Sequence, residues 1–222
     1  MFYDPNAGRD AHGLPHDPFK SCVIPRPIGW ISSLSAEGVP NLAPFSFFNA
    51  VCWAPAMVIF ACPGPDAEGN AKDSFLNVAA TGEFVVNMAT WAQREAVNLS
   101  SAECPPEVDE IALLGLETLP SVKVKPPRIA GSPIHLECLH HQTVLLPSKS
   151  RRRENAVVFG RVVGVHIDDA VLRDGRIDLA LVRPIARLGY RDWAVVDSIF
   201  QQNPPSWPLD RPDEAGQTGN QP

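Results

Sequence analysis

The chain has 222 residues, 45% of them hydrophobic and 20% charged, enough to bury the core of one globular domain. Its 23 prolines argue against long helices, because proline breaks helix interiors, and suit a β-rich fold with many turns. A formal net charge of −6 speaks against an extended nucleic-acid surface, which needs a positive field, although a local basic pocket can still hold a small anion.

Residues 1–18 are polar, are broken by Pro5, Pro15 and Pro18, and read as an arm. They show neither the basic nor the apolar region of a secretory signal. No apolar stretch is long enough to span a bilayer, so a cytoplasmic location follows by default. Residues 19–198 read as one domain, and residues 199–222, rich in Pro, Asp, Gln and Gly, as a flexible tail. Within the domain, residues 27–34 alternate, with Ile28, Trp30, Ser32 and Leu34 on one face. Ser35-Ala36-Glu37-Gly38 is a turn. Residues 41–51 and 56–61 are apolar enough for buried strands. A helix capped by Asp73 or Ser74 runs to about Thr81, with Phe75, Val78 and Ala79 inward and Gly82 at its end. Residues 83–88 form another strand, and residues 92–99 a second short helix. The longest strand pair is 134–146 and 155–167. Pro147 ends the first of these, and residues 148–154 make the polar connection. Antiparallel strands with a few short helices suggest a closed or nearly closed barrel. The five cysteines form no CxxC pair and read as small core side chains.

The sequence has no G-x-G-x-x-G after a strand, no phosphate loop, no nucleophile elbow and no H-E-x-x-H. Lys72-Asp73-Ser74, at the start of the first helix, offers another way to hold a cofactor. A helix N-terminus exposes unpaired N–H groups, Lys72 adds a charge and Ser74 a hydroxyl, which together could hold a phosphomonoester. A lysine before a capped helix is also an ordinary solvated residue. Ser46 and Asn49 are polar residues inside the aromatic run Asn41-Leu42-Ala43-Pro44-Phe45-Ser46-Phe47-Phe48-Asn49. If buried, they need a partner, either neighbouring backbone or a heteroaromatic ligand with carbonyls and ring nitrogens.

Several blocks, in this order, resemble flavin reductase-like proteins. They are His16-Asp17-Pro18-Phe19-Lys20, Pro25-Arg26-Pro27-Ile28-Gly29-Trp30-Ile31-Ser32-Ser33, residues 41–49, Lys72-Asp73-Ser74 and Gly82-Glu83-Phe84-Val85-Val86-Asn87. Further on come Val124-Lys125-Pro126-Pro127-Arg128, Leu136-Glu137-Cys138, Gly160-Arg161-Val162-Val163-Gly164-Val165-His166 and Arg187-Leu188-Gly189-Tyr190. The likeness runs from about Leu14 to Trp193. It implies a mainly β fold, a six-stranded antiparallel split barrel that forms a homodimer with FMN near the interface. By resemblance, Trp30, Ile31, Ser32, Ser33, Ser46, Phe47, Phe48 and Asn49 line the isoalloxazine and ribityl chain. Lys72, Asp73 and Ser74 form the phosphate end. The aromatic run 45–48 is the expected buried side of the dimer.

The resemblance implies an NAD(P)H-dependent flavin reductase, with a partner monooxygenase as one destination for its electrons. A non-enzymatic FMN electron carrier and a flavin-dependent oxygenase with its own substrate stay open, since one fold hosts several functions. The hydride step needs no protein acid or base; His141 is the one candidate side chain beside the flavin or nicotinamide. His135, Glu137 and His141 share a strand face and could form a facial triad, but ordinary alternation explains them and no metal is expected. Arg151-Arg152-Arg153 is either a solvated loop or a contact to an NADPH phosphate.

Overall fold

Aromatic and β-branched runs pair here wherever a short turn brings an antiparallel partner within reach. The computed structural model describes residues 1–7, 13–62, 71–148, 155–205 and 207. Strands β1 (Arg26–Pro27), β2 (Gly29–Leu34), β3 (Pro40–Phe45), β4 (Phe48–Trp53), β5 (Ala56–Cys62) and β6 (Glu83–Met88) come first. A short ribbon, β7 (Thr118–Leu119) with β8 (Arg128–Ile129), precedes the long hairpin β9 (Ile134–Leu146) and β10 (Asn155–Ile167). After it come β11 (Leu172–Arg173), β12 (Arg176–Ile177), β13 (Ile185–Arg187) and β14 (Trp193–Val195). The helices are short: α1 (Phe19–Cys22), α2 (Asp73–Thr81), α3 (Arg94–Leu99), α4 (Glu110–Leu113) and α5 (Leu179–Val182).

Seven strands form one sheet in the order β3-β2-β6-β9-β10-β5-β4, with every neighbour antiparallel. β3 and β4 follow each other in the chain yet lie at opposite edges, joined only by Ser46 and Phe47. Three Cα–Cα steps span at most about 11 Å, so the sheet must curl until its edges nearly meet. The result is a mainly β split barrel. The run 41–51 is therefore two strands and not one, which raises the count to seven. The Ala61 amide donates to the Phe47 carbonyl at 2.8 Å, which turns the chain from one edge to the other.

Inside the barrel, Ile31, Phe45, Phe60, Val78, Phe84, Val86, Cys138 and Val158 pack together. The Phe60 ring lies tilted against Phe45 at 5.0 Å and edge-on to Phe84 at 5.2 Å. A second core lies on the outer face of β2 and β3, where Ile28, Trp30 and Leu42 meet Val97 of α3, Ile111 of α4, Ile129 and Ile185. Trp30 and Ile31 thus serve different cores, and β2 is buried on both faces. Of the aromatic run expected on the buried side of a dimer, Phe47 stays exposed in the single chain. Phe45 is buried, and Phe48 packs partly buried against that core.

Helix α2 covers the barrel with Ser74, Asn77 and Val78 inward, Phe75 partly buried and Ala79 exposed. Two polar residues replace the expected Ala79 because they meet polar groups of β2 and β3. Lys72 is the N-cap, with no side-chain cap bond, so Asp73 and Ser74 stand inside the helix; Gly82 closes it in the left-handed conformation at φ 75°. Cys62 and Cys138 are core residues, and burial pushes the Cys62 thiol up to about 12. Cys104 is half-buried, while Cys22 and Cys52 are exposed, a correction to reading all five as core. The Arg151-Arg152-Arg153 run lies outside the described residues.

Gly160 of β10 sits at a register shift opposite β9, where an added Cβ would overlap the Phe84 ring at Cζ. Phe84 is fully buried and cannot step aside. Gly160→Ala is expected to lower stability by about 1–3 kcal/mol through overpacking, read as a reduced urea midpoint.

Candidate functional site

Where the chain crosses from β3 to β4, its turn forms one wall of a cavity of about 740 Å³. Ala43, Pro44, Phe45, Ser46 and Phe47 make that wall, with Ala61 beside them. Ala71, Lys72, Asp73, Ser74 and Leu76 bring the start of α2 to the rim, and residues 100–106, between α3 and α4, close the far side. The cavity is apolar at the turn. It is charged at the helix, where Lys72 Nζ meets Glu103 Oε1 at 2.5 Å.

A buried polar network holds the helix to the sheet. Asn77 Nδ2 donates to Ser33 Oγ at 3.1 Å, and Asn41 Oδ1 accepts from Ser74 Oγ at 2.7 Å and from Ser33 Oγ at 3.4 Å. Asn41 Nδ2 donates to Glu110 Oε1 at 3.0 Å, and the Leu42 amide donates to Glu110 Oε2 at 3.1 Å. Burial pushes the Glu110 carboxyl up, against the pull of these donors. The network fixes α2 at the cavity rim, and every group in it would cost free energy if left unpaired.

Of the residues singled out in the sequence, Ser46, Phe47, Lys72, Asp73 and Ser74 line this cavity. The Ser74 hydroxyl, however, is buried and spent on Asn41. Trp30, Ile31, Ser32 and Ser33 are fully buried behind the wall. Trp30 Nε1 donates to Ser100 Oγ at 2.9 Å, and Ser32 Oγ donates to the Pro127 carbonyl at 2.6 Å. Phe48 backs the turn by packing over Gly29, and Asn49 is exposed on β4, its Oδ1 accepting from the Ala50 amide. Asn41, Asn77, Glu103 and Glu110 carry no local signal in the sequence. Glu110 meets Asn41 across 69 residues of chain, so only the closed fold reveals it.

His135, Glu137 and His141 part company. His141 lines a separate cavity of about 350 Å³ with Pro55, Met57 and Arg161. His135 Nε2 donates to the Ile129 carbonyl at 2.9 Å, and burial holds its imidazole below the usual range. Glu137 is fully buried and accepts from the Val122 amide at 2.8 Å, the Lys123 amide at 2.5 Å and His166 Nε2 at 2.5 Å. Among the described residues, no three His, Cys, Asp or Glu side chains stand where they could hold a metal ion.

Comparison with known proteins agrees with the fold. A family model described as flavin reductase like domain matches residues 21–184. The chain belongs to the flavin reductase-like domain family. An uncharacterized protein of Halalkalibacterium halodurans is 35% identical over 190 residues, 86% of this chain and 87% of that one. An uncharacterized protein of Aquifex aeolicus is 36% identical over 168 residues, 75% of this chain and 82% of its own. Among solved structures, nitrilotriacetate monooxygenase component B from Bacillus cereus superposes with a TM-score of 0.81 at 29% identity. The match covers 91% of this chain and 98% of that one. The 2-nitrobenzoate 2-nitroreductase of Pseudomonas fluorescens gives 0.72 at 26% identity, over 85% and 89%. Among the described residues, no helix of this flavin reductase-like chain is long and apolar enough to cross a membrane.

Glu137 generates a pH prediction. Burial would raise its carboxyl, but the Val122 amide, His166 and the Lys123 amide outweigh that and hold it below the ordinary range. A carboxyl lowered in the folded state stabilises fully above its unfolded pKa and loses that contribution as pH falls through the folded value. Wild type should therefore lose stability below about pH 4, measured by denaturant unfolding at stepped pH. Glu137→Gln should flatten that acid limb and cost about 1–3 kcal/mol at neutral pH, since one donor is left unpaired.

Proposed function

We propose that this protein is an FMN-binding reductase that takes a hydride from NADH or NADPH and hands electrons onward, as the reductase half of a two-component monooxygenase. The observation that carries the reading is the cavity itself. It sets a charged helix start opposite an apolar, aromatic turn, the two ends that a phosphate and an isoalloxazine require. Its volume suits a nucleotide-sized ligand. The family match and the likeness to a monooxygenase component B support the same reading.

Lys72 and the first amides of α2 would hold the phosphate. Pro44, Phe47 and Ala61 would exclude water from one face of the ring, while residues 101–106 cover the other side of the cavity. Bound FMN supplies the hydride and electron chemistry, and the protein orients it. The buried network through Asn41 and Glu110 keeps the helix in register with the turn.

A second copy of the chain is part of this proposal. β4 is a sheet edge whose outer face carries Val51 at 47% and Trp53 at 91% exposure. An apolar edge strand of this kind invites strand-to-strand or face-to-face cover, and a two-fold dimer would cover both copies equally. Trp53→Lys should shift sedimentation velocity from dimer to monomer; a wild-type monomer at micromolar concentration would end this part of the proposal.

The cofactor reading is tested by titration and by reduction. Lys72→Ala should weaken FMN by about 1.5–3 kcal/mol, the range for a charge-assisted contact, and leave riboflavin unchanged. Anaerobic NADH or NADPH should bleach the visible flavin band within minutes; no bleaching by either nucleotide would remove the reductase assignment.

A further inference from the structure

The charge on the cavity wall is mixed. Among the described residues, two cations, Lys20 and Lys72, face it together with three acidic residues, Asp73, Glu103 and Glu110. Glu110 is turned inward, where both of its oxygens accept from Asn41 and Leu42. Glu103 is different. It stands on the exposed segment between α3 and α4 and reaches across the cavity to Lys72 at 2.5 Å, the two side chains being 57% and 30% exposed. The cation best placed to receive a phosphate is thus already matched by a carboxylate from the opposite wall.

We propose that Glu103 is an affinity-setting residue that competes with the flavin phosphate for Lys72, so that the site exchanges flavin instead of retaining it. The inference rests on the FMN reading. When a phosphomonoester enters, Lys72 Nζ changes partner and Glu103 swings out to solvent. The exchange is feasible because Glu103 is joined to the barrel only through an exposed loop, whereas Lys72 is fixed at a helix whose inner face is tied to Asn41. An exposed ion pair is weak enough to break, yet each binding event must break it before the phosphate can take its place at Lys72.

The test is fluorescence titration of the full chain with FMN and, separately, with riboflavin, together with stopped-flow dissociation. Glu103→Gln and Glu103→Ala should both tighten FMN by about two- to five-fold, the upper part of the range for an exposed charge interaction, and slow its release. Riboflavin, which has no phosphate, should bind all three proteins alike. Thermal unfolding should show all three folded. Unchanged or weaker FMN binding in both variants would overturn the proposal, as would equal tightening of FMN and riboflavin. If wild type binds riboflavin as tightly as FMN, the phosphate assignment itself falls, an outcome separate from failure of the Glu103 effect.

Discussion

Two residues join strands at opposite edges of a seven-stranded sheet, and this short tether governs the rest of the molecule. A flat sheet of seven strands spaced about 4.8 Å apart would set its edges nearly 30 Å from each other. Ser46 and Phe47 cover little more than a third of that distance. Closure is therefore imposed by chain length, and hydrophobic burial then fills the space that closure creates. Phe45, Phe60 and Phe84 meet because the sheet is curled, and Gly160 supplies the clearance that lets Phe84 lie against β10.

The same tether explains the position of the site. At a seam between two edges the backbone cannot continue its ladder, so a turn is left with side chains facing outward. Here that turn presents Ser46 and Phe47 to the cavity, while the Phe47 carbonyl is secured by Ala61. Helix α2 then seats against β2 and β3 through Ser74 and Asn77, which brings a charged terminus to an apolar seam. Neither element forms a pocket alone. The polar contacts beneath α2 are costly to bury and fully matched, the arrangement that fixes one docking geometry.

Much of this was legible in the sequence where the signal was local. The boundaries of β6, β9 and β10 follow from alternation and from Pro147, and the end of α2 follows from Gly82. The lysine at the start of α2 and the aromatic turn were visible as residue types. What stayed hidden depended on closure. The break at Ser46 cannot be seen in an apolar run that reads as continuous, since only the pairing of β4 with β5 ends it. Trp30 to Ser33 look like a ligand-facing strand, yet Trp30 and Ile31 lie in two separate cores and Ser32 and Ser33 are tied to Pro127 and Asn41. Asn41 and Glu110 are unremarkable in their own neighbourhoods and acquire meaning only as partners.

The walls of the cavity differ in how much of the protein they answer to. Residues 43–47 are bound to the seam, and α2 is bound to the sheet by its inward side chains. Ser100 is likewise fixed, since it takes the Trp30 indole and closes α3. From Ser101 to Pro106, with Cys104 alone half-buried, the chain is exposed. Substitutions in that stretch meet little resistance from the core, so the shape and charge of that wall can change while the barrel beneath it keeps its packing.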